Sequence, residues 1–201
     1  MKKTIITLIL AGLLTASLAS CNNEQVEKPD TGNETQVTEN NKTAIADPVA
    51  LLETVWNSYG DDEKFAVIGG DFSEENNKSD APGRYSVSDA EAIDSSLGIP
   101  AASVSKIDDA ASIIHMMNAN TFTAGVYRLK DGEDAGALTD EIKANIEARN
   151  WMCGFPDKLI IATVDNYVVS AFGANELIDT FKTKLTDAYD SASVTVEQSL
   201  A

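Results

Sequence analysis

From Ser105 to about residue 190 the chain reads strand, turn, strand, helix, and then the same order again. Ser105 to Met117 carries the apolar run Ile113, Ile114, Met116, Met117. Asn118-Ala119-Asn120 makes a turn, and Thr121 to Lys130 returns with the Thr, Val and Tyr that favour extended backbone. Ala135 to Asn150 then places Leu138, Ile142 and Ile146 four apart, one apolar stripe of a helix. Leu159 to Val164 is again β-rich, Asp165-Asn166 suits a two-residue hairpin loop, and Tyr167 to Phe172 returns. Leu177, Phe181 and Leu185, with Ile178 beside them, mark a last helix. Four antiparallel strands need at least one covered face, and two amphipathic helices can supply it. The expectation is an α+β fold in two layers, a four-stranded antiparallel sheet (hairpin-helix-hairpin-helix) covered by helices.

Upstream, Asp47-Pro48 opens an additional N-terminal helix, with Asp as cap and Pro at the first helical position. Val49, Leu52, Val55, Trp56 and Tyr59 line it, and Gly60 ends it. Phe65 to Ile68 predicts a short strand ended by Gly69-Gly70, and Asp71 to Arg84 a polar loop. Ser88-Asp89-Ala90-Glu91 has the spacing of a capping box and predicts a short helix, stopped by Gly98 and Pro100. Residues 191–201 read as a C-terminal tail in which Val194 and Val196 could form an edge strand. The globular domain is therefore expected over 47–190.

The first residues set the location. Met1-Lys2-Lys3 is basic, and Thr4 to Leu18 carries no charge. That run would span roughly 22 Å as a helix, short of the ~30 Å hydrocarbon core, so it reads as a secretory signal rather than a membrane span. Residues 22–46 are rich in Asn, Glu, Thr and Gln, too polar to offset the entropy of ordering. They predict a flexible tether with an r.m.s. span of roughly 25–30 Å.

Leu18-Ala19-Ser20-Cys21 resembles the lipobox of bacterial lipoproteins. The resemblance implies cleavage between Ser20 and Cys21, so that residues 1–20 leave as signal peptide, and acylation of the Cys21 sulfur, which holds the chain to a membrane. Two or three acyl chains anchor stably where one is marginal. The wider chain also resembles an uncharacterised family of bacterial lipoproteins, the domain of unknown function 4358. The likeness rests on Val55-Trp56-Asn57-Ser58-Tyr59-Gly60, Leu97-Gly98-Ile99, Gly154-Phe155-Pro156, Asn166-Tyr167-Val168-Val169 and Phe172-Gly173. It implies an extracytoplasmic, lipid-anchored domain in the cell envelope and assigns no chemistry.

Composition excludes some tasks. Among 201 residues, Asp+Glu is 32 against Lys+Arg 15, a formal charge of -17, which argues against nucleic acid as a partner. Two Cys and one His leave no material for a multi-ligand zinc site. His115 is the one imidazole a Ser-His or Cys-His catalyst would have to use, and its apolar neighbours favour a histidine held in place on a strand. Cys153, the thiol left free if Cys21 is acylated, has no nucleophile elbow around it. Acidic groups at Asp61-Asp62-Glu63, at Asp71, Glu74, Glu75 and Asp80, and at Asp131, Glu133 and Asp134 lack EF-hand spacing and read as solvated surface. Trp56 and Trp151 read as core. Gly69-Gly70 lacks the Lys and the spacing of a phosphate loop. No catalytic, cofactor-binding or metal-ligating set converges. The reading is a non-catalytic binding module, touching an envelope protein or ligand through an exposed sheet face or edge. The alternative is a small-ligand receptor or enzyme with a site assembled from dispersed residues around His115 or carboxylates.

Overall fold

The computed structural model describes residues 45–201. The expected signal at 1–20, the expected cleavage and lipidation position at Ser20 and Cys21, and the expected tether up to residue 44 lie outside the described residues. The chain forms α1 (Pro48–Asn57), β1 (Val67–Gly69), β2 (Lys78–Ser79), β3 (Gly83–Tyr85), α2 (Ala90–Leu97), a 3₁₀ turn (Ala101–Lys106) and β4 (Ile107–His115). It continues with β5 (Phe122–Leu129), α3 (Ala135–Glu147), β6 (Lys158–Val164), β7 (Tyr167–Gly173), α4 (Asn175–Ala188) and β8 (Ser193–Ser199).

The helices start where capping chemistry puts them. Asp47 accepts from the Ala50 amide at 2.8 Å, with Pro48 behind it, a contact of about 1 kcal/mol. The cap of α2 is Asp89, which accepts from Ala92 N at 3.0 Å, one residue later than the capping-box pattern implied, and Gly98 closes the helix in the left-handed region at φ 84°. Asp134 caps α3 through Gly136 N at 2.8 Å.

The sheet is antiparallel but has eight strands, not four. The order is β2-β1-β4-β5-β7-β6-β8, with β3 also pairing β4. The four expected strands form its centre. The polar loop expected over Asp71 to Arg84 contributes β2 and β3, and β1 and β3 lie end to end along the outer edge of β4. The expected C-terminal tail is β8, running along β6 from Lys158↔Ser199 to Thr163↔Ser193. Val194 and Val196 are half-buried there, as their apolar spacing suggested.

The two-layer expectation is also corrected: both faces are covered. Leu51, Leu52 and Val55 of α1 and Ile178, Phe181 and Leu185 of α4 pack on Ala111, Ile113, Phe122, Ala124, Val126, Ile160, Val169 and Ala171. Ile93 and Leu97 of α2 and Leu138, Ile142 and Ile146 of α3 pack on Tyr127, Leu159, Ile161, Val168 and Phe172, residues of the opposite face. Connection handedness explains this. β5 and β6 are parallel across β7, and β7 and β8 are parallel across β6, so α3 and α4 each belong to a crossover connection. Both crossovers step the same way along the sheet, but β5 and β7 run in opposite directions. They share one hand only if α3 and α4 lie on opposite faces, and parallel crossovers are overwhelmingly of one hand. Among the described residues, both faces of the four central strands are covered. Among the described residues no helix is long and apolar enough to cross a membrane.

Candidate contact surface at one end of the sheet

β4 ends at His115, and the chain must reverse into β5 within six residues. Histidine makes the reversal. Its Nδ1 accepts from the amides of Met117 at 3.2 Å and Asn118 at 3.3 Å, while its ring stacks on Phe65 at 5.5 Å between centroids. The turn closes with the Thr121 amide donating to Asn118 O at 3.0 Å and the Asn120 amide donating to Asn118 Oδ1 at 3.0 Å.

The two asparagines of this turn also hold a second loop. Asn118 Nδ2 donates to Cys153 O at 3.2 Å, and Asn120 Nδ2 donates to Met152 O at 2.7 Å and Gly154 O at 2.8 Å. Cys153 and Gly154 both have positive φ, 64° and 114°. The segment between α3 and β6 is therefore a tight bend whose carbonyls turn back toward the asparagine side chains. Trp151 anchors it from below, half-buried against Phe172 with ring centroids 5.1 Å apart.

This stitching leaves apolar side chains outside. Met117 is 82% exposed, Met152 81%, Phe155 61% and Met116 45%. Four of the five large exposed hydrophobic residues among those described thus sit on two loops joined to each other; the fifth is Phe72. Monomeric proteins seldom leave contiguous apolar groups in water without a use for them. Phe122 lies beneath, at the start of β5, in a ladder of rings: Phe65–Phe122 at 5.2 Å and Phe122–Phe181 at 5.6 Å.

The structure brings the loops of His115 and Cys153 together, with Asn118 bonded to both. The bonds define the imidazole's role. With two amides donating to it, Nδ1 is not free to take a proton from a thiol or hydroxyl. His115 acts as a turn cap. Cys153 is exposed.

The acidic groups disperse. Glu63 accepts from Lys184 and from the Gly60 amide, and its carboxyl is held below the usual range, chiefly by the Lys184 hydrogen bond. For Asp71 desolvation is the largest influence and acts upward. Bonds from Ser73, Asn76 and Ser86, which tie it into its own loop, outweigh it and lower the carboxyl's pKa. Among the described residues no group of three His, Cys, Asp or Glu side chains could hold a metal ion. Trp56 is core, its indole N–H donating to Asp80 O at 3.1 Å. Gly69 serves packing: a Cβ there would sit 2.3 Å from the Gly83 amide nitrogen. An open groove of about 420 Å³ beside α1 is lined by Asp47, Glu53, Glu75, Lys78 and Arg84, charges of both signs, and lies away from His115.

Sequence reading saw His115, Cys153, Met116 and Met117 one at a time and missed the surface they share with Met152 and Phe155. The asparagines carry the signal: two of them, two residues apart in a turn, opposite a Cys-Gly bend rich in free carbonyls.

No family model, no curated protein and no solved structure matches this chain.

Proposed function

We propose that this chain is a membrane-anchored extracytoplasmic lipoprotein whose folded domain is a non-catalytic binding module, with the loops 116–120 and 151–155 as its contact surface. The observation that carries the second half is the exposure of Met116, Met117, Met152 and Phe155 on loops fixed by side-chain-to-backbone hydrogen bonds. Preorganised apolar groups lose little entropy on docking. The first half rests on the lipobox at Cys21 behind an apolar leader and ahead of a polar tether. The resemblance to the uncharacterised lipoprotein family implies the same placement. The occupied Nδ1 of His115 favours binding over Cys-His or Ser-His catalysis.

Two measurements test this. Mass spectrometry of the native protein should find an acylated Cys21 at the mature N-terminus, and Cys21→Ser should move the protein out of the membrane fraction. A photo-crosslinking residue at Phe155 should form adducts in living cells where one at Asp131 does not. A bare Cys21, or equal adducts from both positions, would refute the respective half.

A further inference from the structure

We infer that the contact surface is built to seat on a lipid bilayer, with the domain standing loop-end down on the membrane that holds its anchor. This deepens the reading above and rests on acylation of Cys21. Charge is the first argument. The chain carries -17 overall, yet the segments 116–122 and 148–156 contain no Asp or Glu. Asp131, Glu133, Asp134 and Asp165 sit at the opposite end of the sheet, beside Leu129 and Val164. At the loop end Asp179 and Glu197 are neutralised by Lys158, and Glu63 is drawn onto α4 by Lys184, while Asp80 and Asp157 border the two segments without lying in them. A body this acidic is repelled by anionic headgroups unless a carboxylate-free surface faces them.

Shape is the second argument. Met117, Met152 and Phe155 project from loop tips, and Trp151 lies behind them. Aromatic and apolar side chains on an otherwise neutral tip suit the headgroup–acyl boundary. A concave protein site that would receive them is not required.

Tether length is the third. The described chain begins at Ile45, whose carbonyl accepts from Tyr167 Oη at 3.3 Å. Tyr167 lies at the far end of the sheet from His115, because it pairs with Arg128 and Arg128 with Asp109. A strand the length of β4 covers about 30 Å. The span expected of residues 22–44 is nearly the same, roughly 25–30 Å. A flexible tether of that reach would be long enough for anchor and loop tips to meet one surface.

The test uses the full chain, purified from membranes and reconstituted in vesicles of phosphatidylcholine with phosphatidylglycerol. Flotation and the intact mass establish anchoring first; failure to float, with Cys21 bare, overturns the anchor reading itself. An acylated Cys21 leaves Cys153 as the reactive thiol, so an environment-sensitive fluorophore can be placed within the surface. On anchored protein its emission should shift to the blue and be lost to lipids spin-labelled near the headgroup. The same fluorophore on Asp131→Cys, in a Cys153→Ser background, should show neither. Met117→Asp with Phe155→Asp should abolish both signals while flotation and melting temperature stay unchanged. Anchored protein whose Cys153 probe stays in a water-like environment would overturn the inference. So would a probe that shifts only when a protein extract is added, which would assign the surface to a protein partner.

Discussion

The charged cluster where Ile45 enters and the two loops at the far end of the sheet are held by opposite chemistry. At the end where Ile45 enters, the bonds are ionic. Arg84 pairs with Asp109, which is 7% exposed, and reaches Asp47 at 3.4 Å; Arg128 pairs with Asp108 at 2.7 Å and stands 3.7 Å from Asp109. Lys106 holds Glu141 at 2.6 Å close by. At the other end Lys158 pairs with Asp179 and Glu197 at the foot of β6, but the two loops themselves are held by neutral asparagine side chains and one imidazole nitrogen bound to backbone groups, and their tips are methionine and phenylalanine. Ion pairs resist being taken out of water, because each charge must shed its hydration. A surface meant to be covered is better braced by neutral hydrogen bonds, which satisfy the loop carbonyls and leave no charge to desolvate. The difference separates a permanently wet end from one prepared for contact.

The contrast can be broken from underneath. Phe122→Ala removes a fully buried ring between Phe65 and Phe181, below the apolar loops. It should cost roughly 3–5 kcal/mol, read from denaturant unfolding, and should loosen loop 116–120 most in hydrogen exchange. Uniform loosening would show that the neutral end does not depend on this ladder. At the charged end, Arg84→Met leaves the nearly buried Asp109 with only the Ala110 amide at 3.0 Å and the longer approach of Arg128. The expected loss is roughly 2 kcal/mol, less than for a fully buried pair because Arg84 is itself half-exposed. A loss that disappears in high salt would demote the pair to surface electrostatics.

How much of this could be read in the chain differs by level. The cap at Asp47 was legible, since a cap is a local property of a few residues; the start of α3 at Ala135 was read from its apolar stripe, while its cap, Asp134, passed for solvated surface. Layering was not. An amphipathic stripe such as Leu138, Ile142, Ile146 says that a helix has a buried face but not which side of a sheet receives it. The sequence did hold the clue in the strands. Leu159-Ile160-Ile161-Ala162 is a continuous apolar run and Val168-Val169-Ser170-Ala171-Phe172 is broken only by one serine, neither showing polar alternation, and in the fold all nine residues are buried. Strands covered on one side alternate; strands covered on both do not. β2 and β3 were hidden because two- and three-residue strands carry no periodicity, and β8 because its half-buried Val194 and Val196 are set among Ser, Thr, Glu and Gln. At the contact surface Met116 and Met117 were visible as a pair. Their meeting with Met152 and Phe155 depends on Asn118 and Asn120 reaching over thirty residues along the chain, which no local pattern records.

The neutral brace itself is a smaller effect. Asn120→Ala deletes both bonds to the bend at Met152 and Gly154, whose carbonyls can turn to water instead. Global stability should fall by about 1 kcal/mol or less. Exchange of amides 151–155 should rise well beyond that of amides 130–134 at the charged end. If both ends respond alike, the asparagine is not a specific clamp and the loops are held by packing alone.

The smallest effect should appear as a difference in acid response. Glu141 accepts from Lys106 and Ser103, and these bonds, Lys106 foremost, lower its carboxyl below the ordinary 4.5. A carboxyl whose pKa is lower folded than unfolded stabilises the fold above the unfolded value. That contribution is lost as pH falls through the lower, folded value. Wild type should therefore exceed Glu141→Gln in melting temperature at pH 6, and the gap should narrow as pH drops below about 4.5. With the side chain 39% exposed, solvent screening keeps the gap to a fraction of a kcal/mol. The segments 116–122 and 148–156 hold no carboxylate to titrate in that window. The ordering of loop 151–155 by Asn120, measured by exchange against Asn120→Ala, should thus be the same in wild type and in Glu141→Gln at each pH. Parallel losses at both ends would mean that the charged network props up the contact surface too, and that the two ends are not independent.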